Sequence, residues 1–283
     1  MDLKQKLKEL RPNLSASSIT TYNSILKNLH KRVFDKELEL NDFNDIESIL
    51  GYLKDIPANK RKTILSALTV LTGMPEYREQ MLGDIQTYTN EIAKQEKTDT
   101  QKENWLETDV LKQKLEQYKK NAAVLYRKNS LSAKDLQDIQ NYILLVLYSG
   151  EFIAPRRSKD YVDFKIADID KAKDNYVDKS GLVFNSYKTA SKYGQQRVQI
   201  PSKMRTILKK WISVNPTPYL LFDSNQAPLT SVKLNQRLNS IFGKKISVNA
   251  LRHTFLTSKY GDVGSDLNDM GTSMNMMTTY IKK

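Results

Sequence analysis

Cysteine is missing from all 283 residues of this chain, and histidine occurs only twice, at His30 and His253. Without a thiol there is neither a disulfide nor a thiolate metal ligand, which fits an intracellular protein. Two histidines cannot by themselves build a zinc centre. No apolar run approaches the roughly 20 residues that a membrane span needs. The opening Met1-Asp2-Leu3-Lys4 begins no signal-peptide core. A Gly-x-x-x-x-Gly-Lys-Ser/Thr string, the phosphate loop of nucleotide motors, is also missing. The expected chemistry therefore uses no metal, no cofactor and no membrane. What the chain has in excess is positive charge: 45 Lys and Arg against 32 Asp and Glu, a formal net charge of +13. Such a surplus points to a polyanionic partner, because neutralising phosphates releases condensed counterions.

The length suffices for two domains with separate cores. Residues 1–93 read as a helical bundle. Ser17 or Ser18 can cap a helix whose apolar positions Ile19, Tyr22, Ile25, Leu26, Leu29 and Val33 fall three and four apart. Further helices are predicted around Ile46–Leu53, around Ile64–Leu71, and from Pro75 through Ile92. Lys60, Arg61 and Lys62 open the third of these, against the preference of the helix dipole, which hints at phosphate contact; a solvated face is the alternative. Residues 94–104 carry no large apolar side chain and read as a linker or an exposed helical extension. The remainder, 105–283, changes character. Leu136, Ile139, Ile143, Leu144 and Leu147 predict a strongly apolar helix closed by Gly150. Strand-like runs come next at Tyr161–Ile169, Leu182–Tyr187 and Arg197–Ile200, the last two joined by a hairpin turn at Lys192-Tyr193-Gly194. Helices are then predicted around Met204–Trp211, over Val232–Phe242 and from Val248 to a stop at Gly261. The fold class expected is mainly α with a small antiparallel β-sheet.

A few polar strings stand out against this background. Pro155-Arg156-Arg157-Ser158-Lys159-Asp160-Tyr161 comes after the apolar helix, Tyr187-Lys188-Thr189 lies on the expected hairpin, Asn249-Ala250-Leu251-Arg252-His253-Thr254-Phe255 opens a late helix, and Tyr280 stands near the end. Two arginines, a lysine and a late tyrosine suit the attack of a phenol on a DNA phosphodiester. A guanidinium fork holds two phosphate oxygens at once. A lysine can release a proton to a leaving oxygen when desolvation or other cations lower its pKa. A phenolate attacks phosphorus and is itself displaceable, so the covalent intermediate keeps the phosphodiester's energy.

In order and local wording these strings resemble the tyrosine recombinase/integrase family across nearly the whole chain. The resemblance implies an N-terminal helical core-binding domain of the SAM-like kind, matched at Leu14-Ser15-Ala16-Ser17-Ser18-Ile19-Thr20-Thr21-Tyr22, and an α+β catalytic domain. It implies Arg157 and Arg252 as phosphate clamps, Lys188 as general acid, Tyr280 as nucleophile and Asp160 as a buttress. Arg156 is the alternative to Arg157, and Lys192 the alternative to Lys188. Met270-Gly271-Thr272 resembles the family's third box. Two positions depart from the family: Asn249 stands where a histidine is usual, and Thr272 where histidine or tryptophan is usual. Neither side chain can take a proton from Tyr280. His253, taken as about 100° round the helix from the base position, is expected to face the core. An enzyme lacking a base worth ~10²–10⁴-fold is expected to be slow or to favour higher pH.

The function that the resemblance implies is that of a site-specific recombinase, which cuts and rejoins duplex DNA through a 3′-phosphotyrosyl link. It would work as a homo-oligomeric, tetrameric synapse in whichever compartment holds its DNA, on behalf of a virus or mobile element. Only Ile281, Lys282 and Lys283 come after Tyr280, so oligomerisation is expected to use a surface other than a tail helix. The rivals are a type IB topoisomerase and a non-catalytic DNA-binding descendant of a recombinase. Expected DNA contacts are Lys60, Arg61, Lys62, Lys244 and Lys245, with Lys233 and Arg237 four apart on one helix face.

Overall fold

The computed structural model describes residues 2–94 and 96–270, and the side chains of 264–269 are outside that description. The chain divides into two compact units, Met1–Lys97 and Thr98–Lys283.

The first unit is built from α1 (Leu3–Leu10), α2 (Ala16–Phe34), α3 (Ile46–Leu53), α4 (Ala58–Thr72) and α5 (Pro75–Ala93). Leu7, Leu26, Ile49, Leu53, Leu65, Leu68 and Tyr77 form its dry centre. The first helix escapes a reading of the longer patterns, although Leu3 and Leu7 bury one face of it. The cap of α2 is Ser15, whose hydroxyl accepts from the Ser18 amide at 3.1 Å, and not Ser17 or Ser18. Ser15 still has extended backbone while its two rivals already lie in the first turn, where a hydroxyl no longer faces the free amides. His30 is buried, with its Nε2 2.7 Å from Asp42.

The second unit begins with α6 (Asp99–Glu103), where Thr98 and Gln101 form a reciprocal capping box that lets a polar stretch hold one helical turn. Next come α7 (Thr108–Leu125) and α8 (Ala133–Tyr148). From Ile139 to Tyr148 every residue of α8 is buried, the mark of a helix with protein on all sides. Gly150 comes after it at φ 77°, the left-handed cap that its position after the apolar run predicted.

β1 (Tyr176–Val177), β2 (Gly181–Phe184), α9 (Ala190–Tyr193) and β3 (Gln196–Gln199) come next, and the strands form an antiparallel sheet in the order β1-β2-β3. Leu182 pairs with both Val177 and Val198. Two expectations are corrected here. Tyr161–Ile169 forms no strand and makes only isolated bridges at Lys165. Asp163 and Asp168 take left-handed backbone (φ 59° and 51°), which breaks a pleat, and the buried aromatics Tyr161 and Phe164 fall three apart instead of alternating. The β2–β3 connection is also longer than a tight hairpin: β2 stops at Phe184 and α9 lies within the connection, so Lys188 sits on a loop and not on a strand.

α10 (Ser202–Ile212), α11 (Ser231–Phe242) and α12 (Val248–Asp269) complete the unit. Trp211 stacks on Phe222 at 6.1 Å and donates its indole N–H to the Leu220 carbonyl at 2.8 Å. α12 runs on past Gly261, where a stop was expected. A glycine inside a helix costs only about 1 kcal/mol, and no proline comes after it to end the helix. The molecule is thus mainly helical with a small three-stranded antiparallel sheet. No described helix is long and apolar enough to cross a membrane.

Candidate nucleic-acid cleavage site

The segment leaving α8 turns a corner at Gly150 and presents two consecutive arginines, Arg157 having extended backbone. Neighbouring side chains on such backbone point to opposite sides. Arg156 points inward: its Nε donates to Asp160 Oδ2 at 2.8 Å, its Nη1 to Gln196 Oε1 at 3.0 Å, and the guanidinium lies 3.9 Å over the Phe184 ring. Arg157 points outward, exposed, and its guanidinium makes no hydrogen bond or ion pair with any described residue. Asp160 is 2% exposed, and its Oδ1 has no partner among the described residues; the same is true of the buried Tyr148 and Tyr161 hydroxyls. Burial pushes the Tyr161 phenol well up, and burial together with Tyr161 and Asp160 raises that of Tyr148.

The lysine-bearing connection reaches this corner through Tyr187. That ring lies 5.3 Å from the Arg156 guanidinium, and its hydroxyl donates to the Gly194 carbonyl at 2.7 Å, closing the connection on itself. Lys188 is the next residue, exposed, while Lys192 lies on α9 at 5.2 Å from the Tyr193 ring.

α12 brings the second arginine. Its Leu251 is buried, and Thr254 donates to the Leu106 carbonyl at 2.9 Å. Phe255 covers Gly150 so closely that a Cβ there would fall 2.4 Å from its ring. The docked face fixes where the other face points. Arg252 comes near enough to Tyr148 to oppose the rise in its pKa. It also reaches Asn249 Oδ1 at 3.4 Å, a long contact. His253 does not face the core as expected. It is exposed and lines a cavity of about 400 Å³ together with Asn249 and Trp105. The error lies in the helical arithmetic: four positions separate His253 from Asn249, which is roughly 40° at 100° per residue. Thr272 and Tyr280 lie outside the described residues.

The cations expected to meet DNA are placed unequally. Arg61 is spent inside the first unit, on Asp84 at 2.7 and 2.8 Å and on the Lys54 carbonyl at 3.0 Å, fastening the end of α3 to α4 and α5. Arg237 donates to Gln140 at 3.1 Å and to the Phe222 carbonyl at 2.9 Å, and burial lowers its pKa. Lys233 pairs with Asp223 at 2.6 Å, Lys244 donates to the Trp105 carbonyl at 2.5 Å, and Lys62 lies 3.0 Å over the Tyr88 ring. Lys60 and Lys245 are exposed, and their ammonium groups make no hydrogen bond or ion pair with a described residue. Among the described residues no three His, Asp or Glu side chains are grouped to hold a metal ion.

Sequence reading missed Tyr148, Tyr161 and Gln196 as parts of the corner. The four-residue spacing of Arg156 and Asp160 was the available signal for the ion pair. The phenols carried none, since buried tyrosines look alike in sequence. No family model matches the chain, and no curated protein matches it. A solved structure described as the crystal structure of XerH site-specific recombinase bound to difH substrate, a pre-cleavage complex, is similar at 18% identity, over 92% of this chain and 75% of that one, with a TM-score of 0.46. A likeness that distant assigns this chain neither a family nor an activity.

Proposed function

We propose that this chain is a tyrosine-type, site-specific DNA recombinase that cuts and rejoins duplex DNA through a 3′-phosphotyrosyl intermediate. One observation carries the reading: elements nearly a hundred residues apart in sequence meet, with the Arg252 helix seated on Gly150 through Phe255 and the Lys188 connection seated on Arg156 through Tyr187. A structural arginine would be paired, as Arg61 and Arg237 are. Arg157 is unpaired and Arg252 only loosely held, which suits groups waiting for a phosphate.

In this reading Arg157 and Arg252 hold the non-bridging oxygens of the scissile phosphate and neutralise the transition state. Tyr280 attacks phosphorus, and Lys188 protonates the departing 5′-oxygen. Asp160 acts through Arg156, keeping the corner rigid. Lys60 and Lys245, whose ammonium groups are uncommitted, take DNA backbone contacts, and Lys62, Lys233 and Lys244 join them where DNA displaces their present partners. A second strand's 5′-hydroxyl resolves the link inside a synapse of several copies, in the service of an element that integrates its DNA. A non-catalytic DNA-binding role is the second reading, favoured by Asn249 at the base position.

The test uses duplex DNA with a bridging 5′-phosphorothiolate, drawn from a pool that the full chain retains. A covalent protein–DNA band on a denaturing gel, lost in Tyr280→Phe, is the expected result. Retained duplex with no band at any pH from 6 to about 10, the phenol's own range, assigns the chain to DNA binding without cleavage.

A further inference from the structure

We infer that Asn175 is a positioning residue for Lys188: its carboxamide latches the start of the lysine connection to the arginine corner and so fixes where the ammonium meets a departing oxygen. The inference deepens the recombinase reading and rests on it. Asn175 stands just before β1 and is 4% exposed. Its Nδ2 donates to the Asp160 carbonyl at 2.9 Å and to the Ser186 carbonyl at 2.7 Å. Its Oδ1 accepts from the amides of Asn185 and Ser186, both at 2.8 Å. A carboxamide has two donors and two lone pairs, and here all of them are engaged. One bond goes to the corner beneath Arg156. The others go to the residues that lead into Tyr187 and Lys188.

The latch stands where the sheet gives out. The β2–β3 register ends at the Phe184–Gln196 pair, so the ladder no longer holds the backbone beyond it. Asn185 doubles the anchor. Its Nδ2 donates to the Asp174 carbonyl at 2.7 Å and its Oδ1 accepts from Gln195 at 2.7 Å, which ties the entry of the connection to its exit. Lys188 comes two residues after Ser186, a length of chain that spans at most ~7 Å. Lys192, its rival, lies further along on α9. Lys188 is thus rooted beside a buried point shared with Asp160, while its own side chain is exposed to a ligand. General-acid transfer needs the donor within hydrogen-bond reach of the oxygen. A displacement of about 1 Å can cost ~10²-fold in rate. As the bond from phosphorus to the 5′-oxygen breaks, that oxygen takes its proton from Lys188, and Asn175 itself gives and takes none.

The readout is the ratio of single-turnover adduct-forming rates on two otherwise identical duplexes, one with a bridging 5′-phosphorothiolate and one with the natural oxygen. A thiol of pKa near ~8.5 departs without a proton, so the ratio rises when general-acid help is lost. Lys188→Ala is expected to raise it ~10²-fold, and Asn175→Ala roughly tenfold or more. Combined, the two should raise it no further than Lys188→Ala alone. The isosteric Asn175→Asp keeps the accepted bonds and at neutral pH loses the donated ones, and it carries the same expectation should the alanine variant not fold. Equal slowing on both duplexes, no slowing on either, or failure of both variants to fold makes Asn175 a residue of the fold alone and overturns the inference. A ratio unchanged in Lys188→Ala overturns it too, by removing the acid that Asn175 would position. A wild-type chain that forms no Tyr280-dependent adduct on either duplex overturns the recombinase reading and this one with it.

Discussion

At the corner after α8 the charges of Arg156 and Asp160 are tied to each other. Arg156 has a carboxylate, an amide and an aromatic face, and Asp160 is sealed from water beneath it. Along the outer face of α12, by contrast, Arg252 has one long contact and His253 stands exposed beside a cavity. A buried ion pair is costly to assemble and still costlier to break, so it makes a rigid frame. Half-exposed, loosely held groups cost the fold little and keep their hydrogen-bonding capacity for a ligand. In the recombinase reading proposed above, the corner holds the shape of the site and the helix face supplies its chemistry, and substitutions should separate the two.

The largest effect is expected from Arg252→Ala. Adduct formation should fall about 10³-fold, ~4 kcal/mol of barrier, as removing one donor to a developing anion does elsewhere. The unfolding free energy from urea titration should change by no more than ~0.5 kcal/mol. A variant that loses stability in step with activity would put Arg252 in the frame and erase the contrast with Arg156.

The reverse pattern is expected of Asp160→Ala. Stripping the buried carboxylate from a partly buried guanidinium should cost about 3 kcal/mol, and lower the melting temperature by roughly 6–12 °C for a unit of this size. Arg156→Met combined with Asp160→Ala should cost less than the two single changes summed, since the second removes a charge already stranded by the first. Additive losses in that double-mutant cycle would mean that the pair at 2.8 Å contributes no coupling.

Legibility in the sequence divides along the same line. The buried helix α8 could be read because Leu136, Ile139, Ile143 and Leu147 repeat at helical spacing and Gly150 ends them. The arginine, lysine and second-arginine strings were visible as strings. What the sequence could not express was the direction of each side chain where the backbone is irregular. Arg156 and Arg157 differ only in which side of an extended segment they occupy. Tyr161–Ile169 has strand composition, but the left-handed Asp163 and Asp168 fold it into turns. His253 was a different kind of miss, because its position four after Asn249 already contained the answer.

The smallest effect concerns the frame's own foundation, the start of α8, where Ser132 and Asp135 cap each other. The Lys128 ammonium, the Ser132 amide and the Ser132 hydroxyl hold the Asp135 carboxyl down at about 2. An unfolded aspartate titrates near ~3.9, so the folded pKa is the lower one and the folded chain binds fewer protons in between. The contribution of Asp135 is therefore complete above pH ~4 and is lost as pH falls from there towards the folded pKa. Asp135→Asn should lower the urea midpoint at pH 7, and the gap to wild type should narrow at pH 3. Neither change should alter adduct formation at neutral pH, because Asp135 supports the frame from the far end of α8 and touches none of the groups on α12. A gap of equal size at both pH values would show that the cap works through its hydrogen-bond geometry alone, without its charge.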